Sequence, residues 1–244
     1  MKVLVACEYS GTVRDAFIAR GHDAMSCDLL PTEKPGPHYQ GDVFDVLDDG
    51  WDMMIAHPPC TYLSSSGLHW NARGAMVDGR PRHELTHEAM LFVLNLMDVR
   101  FVRHGIPRIA LENPVGCIST QYRKPDQIIQ PYQFGEDASK ATCLWLKGLP
   151  TLNGTAYHEP RRVCACGKVY TVAPTECDNC GTEWRYFKSR WANQTDGGQN
   201  KLAPSVDRWK DRSRTYKGIA DAMAEQWGSE AIAAQVVQGK LIAA

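Results

Sequence analysis

The first 28 residues constrain the fold more than any other stretch of the chain. Lys2–Cys7 is a short apolar run broken by Ser10-Gly11, and Thr12–Arg20 carries Val13, Ala16 and Phe17 at helical spacing. Gly21 ends that helix and Ala24–Cys27 is a second apolar run. Strand, turn, helix, strand is the opening unit of a doubly wound α/β sheet. Further strand-like pieces fall at Gly41–Val46 and Trp51–Ala56, with the Pro/Gly-rich loop Pro31–His38 before them. Residues 83–103 hold the longest helical pattern, with Leu85, Ala89, Phe92, Val93, Leu96 and Val99 on one face and Gly105 as its stop. Pro107–Leu111 predicts a buried strand running straight into Glu112-Asn113-Pro114, and Thr142–Leu146 predicts another. A last helix is expected over roughly Arg214–Trp227, with a weakly structured tail at Val236–Ala244.

A length of 244 residues allows one core of ordinary size and a small appendage. Hydrophobic residues at 43% and charged residues at 23% argue against long disorder. The longest apolar runs, such as Met90–Leu94, are far too short to span a bilayer, so no membrane partner is expected. The N-terminus lacks a signal-peptide pattern, with Glu8 interrupting it at once, and a soluble cytosolic protein is the expectation. The 27 Lys+Arg against 28 Asp+Glu give no global basic field. That balance is uneven, however. Residues 155–218 contain 12 basic and 7 acidic side chains, so a local +5 sits against −6 elsewhere, interleaved with aromatics such as Tyr157, Trp184, Tyr186 and Trp191.

Nine cysteines, an odd number in a chain too long to need stapling, exclude a disulfide framework. Four of them, Cys164, Cys166, Cys177 and Cys180, fall within seventeen residues as Cys-x-Cys-Gly and Cys-x-x-Cys-Gly. Four thiolates satisfy a tetrahedral Zn²⁺ and leave no open position, so a structural zinc is expected there. Cys7, Cys27, Cys117 and Cys143 read as small packing residues. Cys60 differs. It follows a predicted strand in His57-Pro58-Pro59-Cys60, a rigid loop at the strand end where open α/β sheets bind ligands. A thiol held there is badly placed for packing and well placed for attack. Glu112 also follows a predicted buried strand, a position where a carboxylate rarely serves packing and where an apolar edge suits a proton donor. His57 reads as a neutral loop histidine.

These residues, in this order, resemble the DNA (cytosine-5) methyltransferase family, in particular a compact branch found in phages and bacteria. Pro59-Cys60 with Ser64 and Gly67 matches the family's Pro-Cys-Gln-x-x-Ser-x-x-Gly nucleophile loop, and Glu112-Asn113-Pro114 matches its Glu-Asn-Val motif. Gly41-Asp42-Val43 matches the Gly-Asp-Ile turn whose Asp contacts the cofactor adenine, and Asp28 takes the place of the ribose-holding acid. Tyr216-Lys217-Gly218-Ile219-Ala220 resembles the closing helix start that folds back on the cofactor site. The opening loop departs from the family's Phe-x-Gly-x-Gly-Gly, reading Ala6-Cys7-Glu8-Tyr9-Ser10-Gly11-Thr12. The family's Gln-x-Arg-x-Arg segment aligns with Ser139-Lys140-Ala141-Thr142, so Lys140 or Thr142 would replace its arginines.

The resemblance implies a Rossmann-like S-adenosylmethionine-dependent methyltransferase fold with a small zinc-ribbon target-recognition segment. It divides the chain into a catalytic domain (1–154), a ribbon (155–205) and a C-terminal helix returning to the catalytic domain (206–244). The implied activity is methylation of C5 of a cytosine flipped out of double-stranded DNA, through a Cys60–C6 adduct with Glu112 acting at N3. Ser64, Asn113, Lys140 and Thr142 would complete the catalytic set. Glu8, Tyr9, Ser10, Gly11, Asp28, Asp42, Val43, Pro58, Gly218, Ile219 and Ala220 would hold S-adenosylmethionine. Arg161, Arg162, Arg185, Lys188 and Arg190, which flank the cysteines, would contact DNA. A monomer in the bacterial or phage-infected cytosol is favoured. Two alternatives stand beside this: the same Cys/Glu chemistry on another pyrimidine or with another one-carbon donor, and an inactive zinc-containing DNA-binding protein.

Overall fold

The computed structural model describes residues 1–98, 105–172, 174–198, 200–202, 205 and 208–229. The chain forms two compact units: Met1–Ile129 with Ala141–Asn153 and the C-terminal stretch from Ile219, and Gln130–Lys140 with Gly154–Gly218. The break at Asn153/Gly154 falls where the sequence put it, but Gln130–Lys140 also joins the second unit, and the chain returns to the first at Ile219 and not near 206.

The first unit is built on a seven-stranded sheet: β1 (Lys2–Ala6), β2 (Asp23–Asp28), β3 (His38–Gln40), β4 (Met53–Ala56), β5 (Ile109–Pro114), β6 (Gln127–Ile129) and β7 (Thr142–Lys147). Its spatial order is β3-β2-β1-β4-β5-β7-β6. The first five strands run parallel, and β7 runs antiparallel to both β5 and β6. Val3–Ala6 and Met53–Ala56 are wholly buried, as strands covered on both faces must be. Helices α1 (Thr12–Ile18), α2 (Ser65–Ala72), α3 (Arg82–Met97) and α4 (Ile118–Gln121) fill the connections. This is a mixed α/β architecture with a mostly parallel central sheet, compatible with a Rossmann-like fold.

The chain leaves β1 for β2 and β3 on one side, then returns to β4 on the other. That reversal creates a crevice at the carboxyl ends of β1 and β4, the position where open α/β sheets hold ligands.

Several element boundaries differ from expectation for local reasons. The strand expected at Gly41–Val46 lies earlier, at His38–Gln40, because Asp42 Oδ1 accepts the Phe44 N–H at 3.0 Å and winds Val43–Asp45 into a 3₁₀ turn. The last helix, α6 (Lys217–Trp227), starts three residues later than expected, leaving Tyr216 just outside it, and a short α5 (Arg208–Ser213) precedes it. Ile219, Ala220, Met223 and Trp227 are buried as their spacing predicts, and Trp227 Nε1 donates to the Pro150 carbonyl at 2.9 Å. Val99 and the tail Val236–Ala244 lie outside the described residues.

In the second unit, β8 (Arg161–Val163), β9 (Val169–Tyr170) and β10 (Lys188–Arg190) form a small antiparallel sheet ordered β9-β8-β10. Its core is minimal: Cys164, Cys177 and Phe187, with Tyr170 stacked on Phe187 at 5.4 Å.

Candidate active site and metal centre

β4 and β5 are neighbours in register, with Ala56 opposite Leu111, so the residues that follow β4 run beside Glu112 and Asn113 near the end of β5. His57 Nδ1 lies 3.0 Å from Glu112 Oε2, and Asn113 Nδ2 donates to the Pro58 carbonyl at 2.8 Å. Further out the two loops are joined through their backbones. Ser65 N–H donates to the Val115 carbonyl, Cys117 N–H donates to the Leu63 carbonyl, both at 2.9 Å, and Ser64 bridges Gly116. Gly116 permits this approach: a Cβ there would overlap the Leu63 carbonyl oxygen and sit 2.8 Å from its carbon. Cys60, half-buried, is thereby held on a loop joined to the chain after β5, while Glu112 and Asn113 lie in β5 itself, opposite Leu144 and Cys143 of β7.

The Cys60 loop is also anchored from α3. Buried Arg82 donates to the Thr61 carbonyl and to Asn71 Oδ1, both at 2.7 Å, while Thr86 donates to the Tyr62 carbonyl at 3.1 Å. Gly67 leaves room for the Arg82 guanidinium, which a Cβ would meet at 2.6 Å. Ser64 starts α2, its Oγ 3.1 Å from Ser66 Oγ.

A cavity of about 370 Å³ lies at the carboxyl ends of β1 to β4, within the range of small-molecule sites. Asp28, Asp42 and Val43 line it, together with Pro59 and Tyr62 from the Cys60 loop. Leu85, Glu88, Ala89 and Phe92, one face of α3, close it. Burial raises the Asp28 carboxyl above its ordinary value against the Leu30 N–H that it accepts. Leu85, Ala89 and Phe92 belong to the apolar face that the helical spacing of α3 marks.

The loop after β1 is arranged differently from a cofactor cradle. Only Cys7 of it reaches the cavity. Glu8 is buried and turns back on α1: Oε1 accepts the Val13 N–H at 2.7 Å and the Ser10 hydroxyl at 3.1 Å, and Oε2 accepts the Arg14 N–H at 3.2 Å. The helix start thus carries an internal carboxylate, satisfied as an N-cap is. Gly11, at φ +68°, leaves room for the Arg14 guanidinium, itself fully buried and bonded to Ser26, Thr32 and the Lys34 carbonyl. Tyr9 is buried, its carbonyl accepting the Glu33 N–H.

The other cysteines of this unit are held as neutral thiols. Burial, reinforced by Asp28, pushes Cys27 up to about 12 and Cys7 higher still, and burial raises Cys117 and Cys143 as well.

Thr142 is buried in β7 opposite Pro114. Lys140 belongs to the second unit, where its Nζ donates to the Arg212 carbonyl at 3.0 Å. Gly218 is in that unit too: its N–H donates to Glu136 Oε1 at 2.9 Å, and a Cβ would collide with the Phe134 carbonyl. Ile219 and Ala220 are interior residues of α6 outside the cavity lining.

In the second unit the sulfurs of Cys164, Cys166, Cys177 and Cys180 lie within 4.8 Å of one another. Cys164 and Cys180 are 3.5 Å apart and Cys166 and Cys177 3.6 Å, against about 3.8 Å for thiolates on a tetrahedral zinc. Gly167 and Gly181 take the left-handed φ of +88° and +69° that closes each knuckle, returning N–H groups to the Cys164 and Cys177 carbonyls. The cluster fits a four-thiolate metal site, and zinc is the ion its chemistry suits.

Among the flanking cations, Arg161 approaches Asp137 at 3.7 Å and Arg162 donates to Ser189. Arg185 pairs with Glu183 and lies over Tyr186, and Arg190 donates to the Asp196 and Ser189 carbonyls. Lys188 is exposed on β10.

No protein-family profile and no curated protein sequence matches the chain. Among the described residues, no helix is long and apolar enough to cross a membrane.

Proposed function

We propose that this protein is a DNA cytosine-5 methyltransferase using S-adenosylmethionine. The observation that carries the reading is the join between the Cys60 loop after β4 and the end of β5, where Glu112 and Asn113 bond to His57 and Pro58 of that loop beside the crevice of the sheet. The nucleoside half of the donor fits the cavity: Asp28 and Asp42 offer acceptors for hydroxyl and amino groups, and Leu29, Val43 and Phe92 offer apolar walls. When bound, the donor supplies an electrophilic methyl group. The Cys60 thiolate adds to C6 of the flipped base while Glu112 gives a proton to N3, which leaves C5 nucleophilic. After methylation a base takes the C5 proton, Cys60 departs as thiolate and N3 returns its proton to Glu112. Thr142, opposite Pro114 on β7, is the remaining candidate for the ring edge. The basic, aromatic ribbon, with Arg161, Arg162, Arg185, Lys188 and Arg190, is the segment assigned to DNA contact.

The test is incubation with duplex DNA and labelled S-adenosylmethionine, repeated with 5-fluorocytosine DNA and with Cys60→Ala. Label at C5 and a covalent adduct lost in the variant are expected. DNA binding without either product would replace this reading with that of a zinc-containing DNA-binding protein.

Glu8 favours one second reading. Its carboxylate takes the α1 amides that would otherwise face the aminoacyl carboxylate of the donor, which suits the same chemistry with another one-carbon donor. Methyl transfer from methylenetetrahydrofolate with a reductant, and none from S-adenosylmethionine, would establish it.

A further inference from the structure

We infer that Glu88 is a further recognition residue of the cavity, a carboxylate that accepts a hydrogen bond from an N–H or O–H group of the nucleoside donor. The inference rests on the reading of this cavity as the S-adenosylmethionine site, proposed above. Leu85, Glu88, Ala89 and Phe92 are the residues that α3 brings to the cavity wall, and their offsets of three, four and seven are those of one helix face. Three of the four are apolar. The fourth is a carboxylate, at a position where packing favours a side chain like its neighbours.

An arm outside the central sheet holds Glu88 in place. Met76–Val77 and Arg80–Pro81 pair antiparallel across Asp78-Gly79, whose φ values of 48° and 79° are those of a tight hairpin turn. Arg80 engages both carboxylate oxygens: Nη1 donates to Oε2 at 3.2 Å, and Nη2 donates to Oε1. That contact holds the Glu88 carboxyl below its ordinary pKa, so it stays an anion. The two side chains are 47% and 55% exposed, and an exposed ion pair adds little to stability. It does fix the direction of the carboxylate. A carboxylate offers two acceptor sites on each oxygen, so the guanidinium leaves one on each, and the exposure leaves them within reach of a ligand. The rest of the lining suits the same kind of ligand. Asp28 and Asp42 are carboxyl groups too, and no lysine, arginine or histidine is among the lining residues. S-adenosylmethionine, with an ammonium and a sulfonium against one carboxylate, carries the complementary charge.

The test is calorimetric binding of S-adenosylmethionine to wild-type protein and three variants, with thermal melting of each. Glu88→Leu completes the apolar face of α3, so it should melt no lower than wild type while binding at least about tenfold more weakly. Glu88→Gln keeps an acceptor oxygen and loses the charge, and its affinity should fall between the two. Glu84→Gln is the control: Glu84 lies 4.0 Å from the same Arg80 but is not among the lining residues, so the affinity should stay at the wild-type value. A loss smaller than tenfold in Glu88→Leu, a Glu88→Gln affinity outside that interval, or an equal loss in Glu84→Gln overturns this inference alone. Wild-type protein that binds no S-adenosylmethionine overturns the donor reading and this inference with it.

Discussion

Gly116→Ala tests whether the double loop positions the chemistry. The added Cβ would overlap the Leu63 carbonyl oxygen and sit 2.8 Å from its carbon and 2.9 Å from Ser64 Cα. Carbon atoms rest at about 3.5–4.0 Å, so the loops must separate by roughly 1 Å. Both opposing groups are backbone, which leaves no side chain to swing away. Separation breaks the Ser65–Val115 and Cys117–Leu63 hydrogen bonds. At about 1 kcal/mol net for each, with some loss of Leu63 packing, the cost is about 2–3 kcal/mol. For a chain of this size that lowers the melting temperature by roughly 5–10 °C. A 1 Å misplacement of the nucleophile relative to Glu112 is expected to slow the reaction by roughly 100-fold. Stability is read by thermal melting, and positioning by the rate of adduct formation on 5-fluorocytosine DNA below the variant's transition. Gly197→Ala is the control, since its Cβ would meet nothing closer than Thr195 Oγ1 at 3.8 Å. A Gly116→Ala protein with wild-type melting and wild-type adduct rate would refute the argument that this contact holds the two loops in place.

Three further outcomes follow from the geometry. Iodoacetamide at pH 8 should label Cys60 in the first unit and leave Cys7, Cys27, Cys117 and Cys143 unmodified, because burial holds those four thiols protonated; peptide mapping reads the sites. Asp28 has a folded pKa raised by burial, so its ionisation opposes folding as pH rises from below its unfolded value through the folded one. Asp28→Asn should therefore gain stability relative to wild type across that window and hold the gain at pH 7, while binding S-adenosylmethionine more weakly; melting against pH and calorimetry check the two halves. Metal analysis should find one zinc per chain, and a strong chelator or Cys177→Ser should abolish the near-ultraviolet signal of the stacked Tyr170–Phe187 pair, since the ribbon's core is otherwise three residues.

Local spacing was sufficient for whatever depends on neighbours in the chain. The β1–α1–β2 opening, the burial of α6 and the Cys-x-Cys and Cys-x-x-Cys knuckles all follow from periodicity or short-range ligand geometry. Where a single side chain competed with the pattern, the reading shifted, as Asp42 did in moving β3 forward to His38–Gln40. Three features needed the fold. The His57–Glu112 and Pro58–Asn113 contacts join residues 55 apart in sequence, and only the pairing of β4 with β5 brings them together. Gly116 reads as an ordinary turn residue until the Leu63 carbonyl is seen against it. Glu8 sits in an expected cofactor loop, yet buried amides at the start of α1 claim its carboxylate first, because an unsatisfied helix start is costly in the interior. The sequence by itself determined the α/β class and marked the residues proposed to carry chemistry. The tertiary structure decided which of them meet, because hydrogen bonds across neighbouring strands depend on register and close approach, and neither is written in local spacing.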